Sequence, residues 1–302
     1  MNKQTILLTG ARGQLGKTFS AKFSTSELQQ KFKLVQVGIN ELNLSDTNSV
    51  TACLSSYNPS VIINCGAYTS VDLAEGEKEE AMKVNASAVA SIAKWANENQ
   101  SRMLQISTDF VFDGKKTAPY SPTDIASPLS VYGETKLLGE KGIFEFLPKS
   151  GIIIRTSWLY SENGKNFVKK MLDLMSKKDE LGIVSDQVGS PTSTHSLVEV
   201  LFAIINRPDT KGIYHWCDGA SVSWFEFAIE IQKLAMECGL LRKEVPINPI
   251  KTSDFPTKAR RPSYSVLERE ATILKLGVPK TDWRKELKNV LAMISLTKLN
   301  GT

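Results

Sequence analysis

The chain has 302 residues, 41% hydrophobic and 23% charged, an ordinary globular composition that suffices for one large domain or two smaller ones. The net charge of +5 comes from lysines and arginines scattered among acids, so we expect no nucleic-acid partner. No apolar stretch approaches the ~20 residues that span a bilayer, and the first apolar run is too short for a signal peptide. We therefore expect a cytoplasmic chain with no membrane partner.

The cysteines and histidines are widely separated and form no CxxC or other ligand spacing. We expect reduced, buried thiols, no metal site and no histidine-based catalytic triad. The residues concerned are Cys53, Cys65, Cys217, Cys238, His195 and His215.

The first half of the chain alternates short apolar runs with helical patterns. Strands are predicted at residues 5–8, 34–37, 61–64, 103–107 and 152–155. Helices are predicted at residues 16–23, 47–57, 77–97 and 130–146. Because the strands are apolar throughout, this alternation predicts an α/β fold: a Rossmann-type, doubly wound parallel sheet covered on both faces.

The second half is less regular. It predicts a strand at 182–186, a loop at 187–192, a helix at 196–206, a further strand of the main sheet at 212–216, an amphipathic helix at 223–238 with Ser223 as N-cap, and a proline-rich basic loop at 251–262. We therefore expect a Rossmann domain over residues 1–165, to which 196–220 return. A smaller, interleaved C-terminal domain is expected over 166–302.

A glycine turn follows the first predicted strand. Gly10 would permit the tight turn, Gly13 the close approach of a pyrophosphate, and Gly16 the packing of helix against strand. The helix N-terminus would then face the phosphates. The spacing is GxxGxxG rather than GxGxxG, and such turns also occur for packing alone, but the position after the first strand favours dinucleotide binding.

Two features indicate which dinucleotide is bound. The second strand ends at Val37-Gly38 without the carboxylate that usually holds the ribose diol of NAD. Arg12 lies within the glycine turn, where a guanidinium would meet a 2′-phosphate. Both favour NADPH over NADH, although an Arg12 that simply points into water is an equal alternative.

Tyr132 and Lys136 lie four residues apart on one predicted helix and therefore share a face. The ammonium would lower the pKa of the phenol, which would donate a proton to a substrate oxygen as hydride arrives at carbon. Thr108, after the fourth strand, would bond the same carbonyl. The alternative is a solvated Tyr–Lys pair, but the glycine turn upstream favours catalysis.

Together these residues resemble the extended short-chain dehydrogenase/reductase superfamily, and within it the family of dTDP-4-dehydrorhamnose reductases. The resemblance runs nearly end to end. The stretches that carry it are TGARGQLG (9–16), NCGAYTSVD (64–72), STDFVFDG (107–114), VYGETK (131–136), RTSW (155–158), NF (166–167), DQVGSPT (186–192) and ARRP (259–262).

The resemblance implies NAD(P)H-dependent reduction of the C4 ketone of dTDP-4-dehydro-L-rhamnose to dTDP-L-rhamnose, for lipopolysaccharide or O-antigen, by a monomer or homodimer. It makes Tyr132, Lys136 and Thr108 catalytic. With the glycine turn, it implies cofactor contacts at Gly10, Arg12, Gly13, Gln14, Leu15, Gly16, Asn43, Leu44, Ala67, Tyr68, Thr69, Tyr132, Lys136 and Trp158. It implies contacts with the sugar nucleotide at Thr108, Asp109, Trp158, Arg260 and Arg261. A core aromatic at Trp158 and an exposed basic turn at the arginines are the alternatives.

The chain departs from the family at three positions. Phe110 stands where Tyr is common, Asn43 where Asp is common, and Gly38 where an acid is frequent. These departures affect the expected cofactor preference and the expected identity of the sugar more than the expected reaction.

Two other functions remain open. Related dehydratases carry Asp-Glu after the threonine, whereas Asp109-Phe110 here favours simple reduction. A reductase of another 4-keto-6-deoxy sugar nucleotide, such as a dihydrostreptose-type synthase, is one alternative. A non-catalytic homologue, like the regulatory subunit of methionine adenosyltransferase, is the other.

Overall fold

The computed structural model describes residues 3–300, with side chains described to residue 297. Its strands are β1 (Gln4–Thr9), β2 (Phe32–Val37), β3 (Val61–Asn64), β4 (Arg102–Thr108), β5 (Ile152–Thr156), β6 (Leu159–Tyr160), β7 (Leu181–Val184), β8 (Val188–Gly189), β9 (Thr192–Ser193), β10 (Gly212–Trp216), β11 (Val222–Ser223) and β12 (Ile247–Ile250). Its helices are α1 (Gln14–Phe23), α2 (Leu28–Lys31), α3 (Thr47–Tyr57), α4 (Val71–Ala74), α5 (Lys78–Met82), α6 (Ala88–Glu98), α7 (Val131–Phe146), α8 (Phe167–Lys177), α9 (Thr194–Ile205), α10 (Trp224–Glu237), α11 (Glu270–Leu276) and α12 (Trp283–Asn300).

Six strands form one parallel sheet in the order β10-β5-β4-β3-β1-β2. They are the six predicted from the apolar runs, and their ends differ from the prediction by two residues or fewer. The strand order reverses between β1 and β3, so the connections that leave these two paired strands lead to helices on opposite faces of the sheet. A doubly wound sheet binds its ligands at this switch point.

The sheet is buried on both faces, as the continuous apolar strands predict. Ile6 and Leu8 of β1 pack into a cluster with α1 and α9, whereas Leu7 between them packs into a cluster with α3, α6 and α7. All three side chains are fully buried. This two-sided burial confirms the α/β doubly wound fold class.

The helix predicted over 77–97 is present as one continuous helical run over 78–98, but its middle turn is π-helical rather than α-helical. Between α5 and α6, a π-helical turn spans Lys83–Ser87. It carries the buried Asn85, which accepts the Tyr68 N–H (2.9 Å) and donates to the Tyr68 carbonyl (3.0 Å) and to Thr135 Oγ1 (3.2 Å). The extra residue therefore turns one amide toward both the loop after β3 and α7.

The remaining elements form a second apolar cluster, in which α8, α10 and α12 pack around Phe227, Ile231 and Leu287. Ser223 caps α10 in a capping box with Glu226, which confirms the predicted N-cap. The sequence pattern predicts no helix for α8, α11 or α12. The separate cluster supports the two-domain division, which stays a prediction. None of the helices in the described range is long and apolar enough to cross a membrane.

Glycine at position 139 allows α7 to lie against the π-helical turn, since a Cβ added there would stand 2.2 Å from the Asn85 carbonyl oxygen. Gly139→Ala should therefore lower the free energy of unfolding by about 1–2 kcal/mol, because overpacking outweighs the better helix propensity of alanine. Urea denaturation measures the change.

The matched control is Gly76→Ala, where the nearest atom to the added Cβ lies 3.8 Å away. We expect it to leave the unfolding midpoint nearly unchanged. Equal stability of both variants and the wild type would contradict the close packing described for α7.

Candidate active site

A cavity of about 930 Å³ opens at the carboxyl ends of β1, β3, β4 and β5. Most of the predicted site residues line it: Gly10, Gly13, Gln14, Leu15, Gly16, Asn43, Leu44, Ala67, Tyr68, Thr69, Thr108, Asp109, Tyr132, Lys136, Trp158 and Arg261. Two predicted residues do not. Arg12 pairs with Glu41, and Arg260 lines a neighbouring cavity of about 620 Å³.

The glycine turn is closed tightly on itself. Gly10 has a left-handed backbone (φ 62°), and a Cβ there would lie 2.7 Å from the Gly66 nitrogen in the loop after β3. A Cβ at Gly16 would lie 2.5 Å from the Gly10 carbonyl oxygen. Gly13 is the N-cap of α1 and provides no side-chain cap, so the helix N-terminus faces the cavity with its backbone N–H groups. This cradle fits the pyrophosphate of a dinucleotide.

Tyr132 and Lys136 lie in the first half of α7, which begins after the N-cap Ser130. Lys136 is 4% exposed, and its Nζ donates to the Ile106 carbonyl of β4 at 2.7 Å. Burial lowers the pKa of Lys136 to about 8, although the Glu140 carboxylate opposes the shift. The ammonium is therefore charged at neutral pH and poised to lose its proton just above it.

The phenol of Tyr132 is protonated at neutral pH. Burial raises the pKa of Tyr132 to about 12, the hydrogen bond with Thr108 opposes this, and the charge of Asp109 adds to it. The ring of Phe110 packs edge-on against the Tyr132 ring, with centroids 5.6 Å apart. The expectation that the Lys136 ammonium lowers the pKa of Tyr132 is wrong for this structure, because burial raises that pKa and Lys136 is not among its causes. A protonated phenol that bonds a threonine hydroxyl, in the same cavity as an ammonium, has the chemistry of a proton donor to a carbonyl oxygen.

Asp109 presents an unpaired carboxylate oxygen. Its side chain is 2% exposed, and its Oδ1 accepts from Thr108 Oγ1 at 3.1 Å. Its Oδ2 has no hydrogen-bond partner within the described residues. Burial raises the pKa of Asp109 to about 6. A side-chain hydrogen bond with Ser265 also acts on this carboxylate and opposes the raised pKa of Asp109.

A buried ion pair lies one turn beyond Lys136 on α7. Arg155 of β5 binds Glu140 through Nε (2.9 Å) and Nη2 (2.6 Å), and both side chains are less than 5% exposed. Ser107 also donates to Glu140. His215 donates from Nδ1 to the Tyr120 carbonyl (2.9 Å), and burial with Arg155 lowers the pKa of His215 to about 3. Sequence reasoning missed this network, because its members are brought together only by the sheet.

Trp158 stacks on Trp224, with ring centroids 3.4 Å apart and planes 9° apart, and both residues line the cavity. Trp158 has a positive φ of 47°, which is unusual for a bulky residue. A Cβ at Gly189 would stand 2.6 Å from the Trp158 ring, so β8 also packs closely against this ring. Trp224 carried no sequence signal apart from its place at the start of an amphipathic helix.

The loop that follows β6 lies over the glycine turn. Gln14 Nε2 donates to the Leu159 carbonyl at 3.2 Å, and Gln14 Oε1 accepts from Asn166 Nδ2 at 3.3 Å. These bonds bring Lys165 to the lining of the cavity near Gly13. Sequence analysis missed Lys165, since about 150 residues separate it from the turn.

The two predicted arginines have different surroundings. Arg261 binds Asp72 at two points, 2.7 Å and 3.1 Å, and the Arg261 hydrogen bond is the largest cause of the lowered pKa of Asp72. Arg260 is exposed and lines the smaller cavity with Lys115 and Lys116. This cavity is thus basic. In the described part of the chain, no group of three or more His, Cys, Asp or Glu residues could hold a metal ion.

The dinucleotide cradle, Tyr132 and the buried Lys136 share one cavity at the switch point of a doubly wound sheet. This combination defines an NAD(P)-dependent oxidoreductase of the extended short-chain dehydrogenase/reductase class.

Comparison with known proteins narrows the class to one family. The sequence profile described as "RmlD substrate binding domain" matches residues 4–296. The chain is 39% identical over 292 residues to a dTDP-4-dehydrorhamnose reductase of Aggregatibacter actinomycetemcomitans, covering 95% of this chain and 98% of that protein. The chain therefore belongs to the RmlD substrate binding domain family, and the resemblance to dTDP-4-dehydrorhamnose reductases is confirmed.

Two crystal structures of dTDP-4-dehydrorhamnose reductases have the same fold as this chain. A dTDP-4-dehydrorhamnose reductase from Clostridium acetobutylicum, 35% identical, superposes with a TM-score of 0.89 over 96% of this chain and 99% of that one. The enzyme from Bacillus anthracis in complex with NADP, 31% identical, also gives 0.89 over 97% and 100%. The expected enzyme class, an NAD(P)H-dependent oxidoreductase, is confirmed by these relatives.

The lowered pKa of the buried Lys136 predicts that the rate of the reaction depends on pH. Because the pKa of Lys136 is lowered to about 8, the ammonium is present below that pH and lost above it. The value of kcat/KM for the nicotinamide cofactor depends on the protonation state of the free enzyme. We expect this value to fall about tenfold per pH unit above about pH 8. Initial rates between about pH 6 and about pH 10 measure it.

Circular dichroism at each pH serves as the control for unfolding. A kcat/KM that stays constant to about pH 10 would show that the charge of Lys136 does not support the reaction.

Proposed function

We propose that this chain reduces the C4 ketone of dTDP-4-dehydro-L-rhamnose to dTDP-L-rhamnose, with NADPH or NADH as the reductant. The observation that carries the proposal is the protonated phenol of Tyr132, which bonds Thr108 and shares one cavity with the buried Lys136 and the glycine turn. Family membership supplies the substrate class.

The bound nicotinamide supplies the hydride to C4. Tyr132 donates its phenolic proton to the C4 oxygen, so that the ketone becomes a secondary alcohol and Tyr132 becomes a phenolate. Thr108, whose single hydroxyl proton points to Asp109 Oδ1 in this structure, turns it to the carbonyl oxygen and holds that oxygen by a hydrogen bond. The Lys136 ammonium, fixed by the Ile106 carbonyl, stabilises the phenolate until a proton from solvent restores the phenol.

The rest of the sugar nucleotide meets polar and aromatic groups. The carboxylate of Asp109, which lines the cavity, accepts a sugar hydroxyl, and Trp158, held by Trp224, borders both the sugar and the nicotinamide. Arg260 contributes to the diphosphate site, and its cavity also contains Lys115 and Lys116. A diphosphate favours the guanidinium of Arg260, which offers charge-assisted hydrogen bonds, whereas Lys115 pairs with Asp113 and Lys116 with Asp124.

Reduction is favoured over dehydration, because the residue after Asp109 is Phe110, whose ring packs against Tyr132 and offers no acid or base. A reductase of another 4-keto-6-deoxy sugar nucleotide would use the same groups. The cytoplasmic location, the lipopolysaccharide or O-antigen destination, the monomer or homodimer, and the absence of nucleic-acid and membrane partners stay predictions.

Tyr132→Phe removes the proton donor and keeps the ring. We expect kcat to fall by ~10²–10⁴-fold, while the Kd for reduced cofactor changes little, since the hydroxyl acts in the proton transfer. Steady-state kinetics and quenching of tryptophan fluorescence by the cofactor measure the two effects.

Tyr57→Phe is the matched control, because Tyr57 lies at the exposed end of α3. It should keep wild-type kcat. Wild-type turnover by Tyr132→Phe would remove Tyr132 from the proposed mechanism.

A further inference from the structure

The turn after β2 carries a carboxylate that the strand end itself lacks. The main chain reverses at Gly38, whose carbonyl accepts the Leu42 N–H at 2.9 Å. Glu41, within this turn, accepts the Gly38 N–H through Oε2 at 2.9 Å. The Gly38 N–H, together with Arg12, lowers the pKa of Glu41, so its carboxylate is ionised at neutral pH.

The same carboxylate holds Arg12. Glu41 Oε1 lies 3.0 Å from Arg12 Nη2. Both side chains cross the face of Gly38, because a Cβ there would stand 2.9 Å from Arg12 Nε and 3.2 Å from Glu41 Oε2. A residue with a side chain at position 38 would therefore displace the pair.

This pair lies at one end of the cofactor cavity, whose lining includes Gly38, Ile39 and Leu42. In a doubly wound fold the adenosine ribose binds at the carboxyl end of the second strand. An acidic residue there accepts the 2′-hydroxyl of NAD, whereas an arginine there binds the 2′-phosphate of NADP. Here both groups are present and bound to each other.

We propose that Glu41 is the residue that sets cofactor selectivity in this chain, by accepting the ribose 2′-hydroxyl and by engaging the guanidinium that a 2′-phosphate would need. The inference rests on the proposed function only in requiring a nicotinamide dinucleotide. A 2′-phosphate that binds Arg12 competes with Glu41 for the guanidinium and places a second anion beside the carboxylate. Relative to a chain with a free Arg12, the pair favours the unphosphorylated ribose.

Two adenosine fragments isolate this effect, because adenosine 5′-monophosphate and adenosine 2′,5′-bisphosphate differ only in the 2′-phosphate. In Glu41→Gln the amide oxygen still accepts the Gly38 N–H, but the negative charge is gone. We expect the ratio of the two Kd values to shift about tenfold toward the bisphosphate, the size of one charge-assisted hydrogen bond. Calorimetric titration measures both constants, and the Kd values for NADH and NADPH should follow.

Arg12→Gln should shift the same ratio in the opposite direction, since it removes the cation and leaves the carboxylate. Glu98→Gln is the matched control, because Glu98 is exposed at the end of α6 that leads into the amino end of β4. It should leave the ratio unchanged.

A ratio that moves less than about twofold in Glu41→Gln would overturn the inference. The fragments contain neither nicotinamide nor sugar, so their binding does not depend on the reaction. A wild-type protein that fails to reduce the keto sugar, but shows the expected shift, would contradict the proposed function and leave the selectivity of Glu41 supported.

Discussion

The ammonium of Lys136 is a cation buried in the centre of the molecule, and the site depends on how that charge is held. A buried charge is costly unless it is paired or hydrogen-bonded. Here the Ile106 carbonyl accepts from Nζ, and Glu140 lies one turn along the same helix. Arg155 in turn balances Glu140. The sheet and α7 are thereby joined by charges as well as by apolar packing.

This arrangement connects the fold to the chemistry. Because Lys136 is fixed to β4, the Tyr132 phenol four residues earlier is fixed relative to the carboxyl end of the sheet. The π-helical turn at Lys83–Ser87 adds a second constraint, since Asn85 bonds both to α7 and to the loop that lines the cavity. Orientation of this kind is a large part of what a reductase supplies, because the cofactor carries the redox chemistry.

The local sequence pattern was sufficient to predict much of the fold and the edge of the sheet where the candidate site lies. The apolar runs predicted all six strands of the main sheet, and the glycine turn and the Tyr132–Lys136 spacing placed the site at its carboxyl edge. What local pattern missed depends on distant contacts. Glu140 meets Arg155 only when α7 packs on β5, and Trp224 reaches Trp158 only when the second cluster folds. Glu41 escaped notice because a turn, rather than a strand end, presents its carboxylate.

The most direct test of the account gives the purified protein dTDP-4-dehydro-L-rhamnose, generated in place, and follows the absorbance of NADPH or NADH. The account predicts one reduced cofactor consumed for each keto sugar, with dTDP-L-rhamnose as the product identified by nuclear magnetic resonance. A folded protein that binds the cofactor and oxidises neither NADPH nor NADH with this substrate would contradict it.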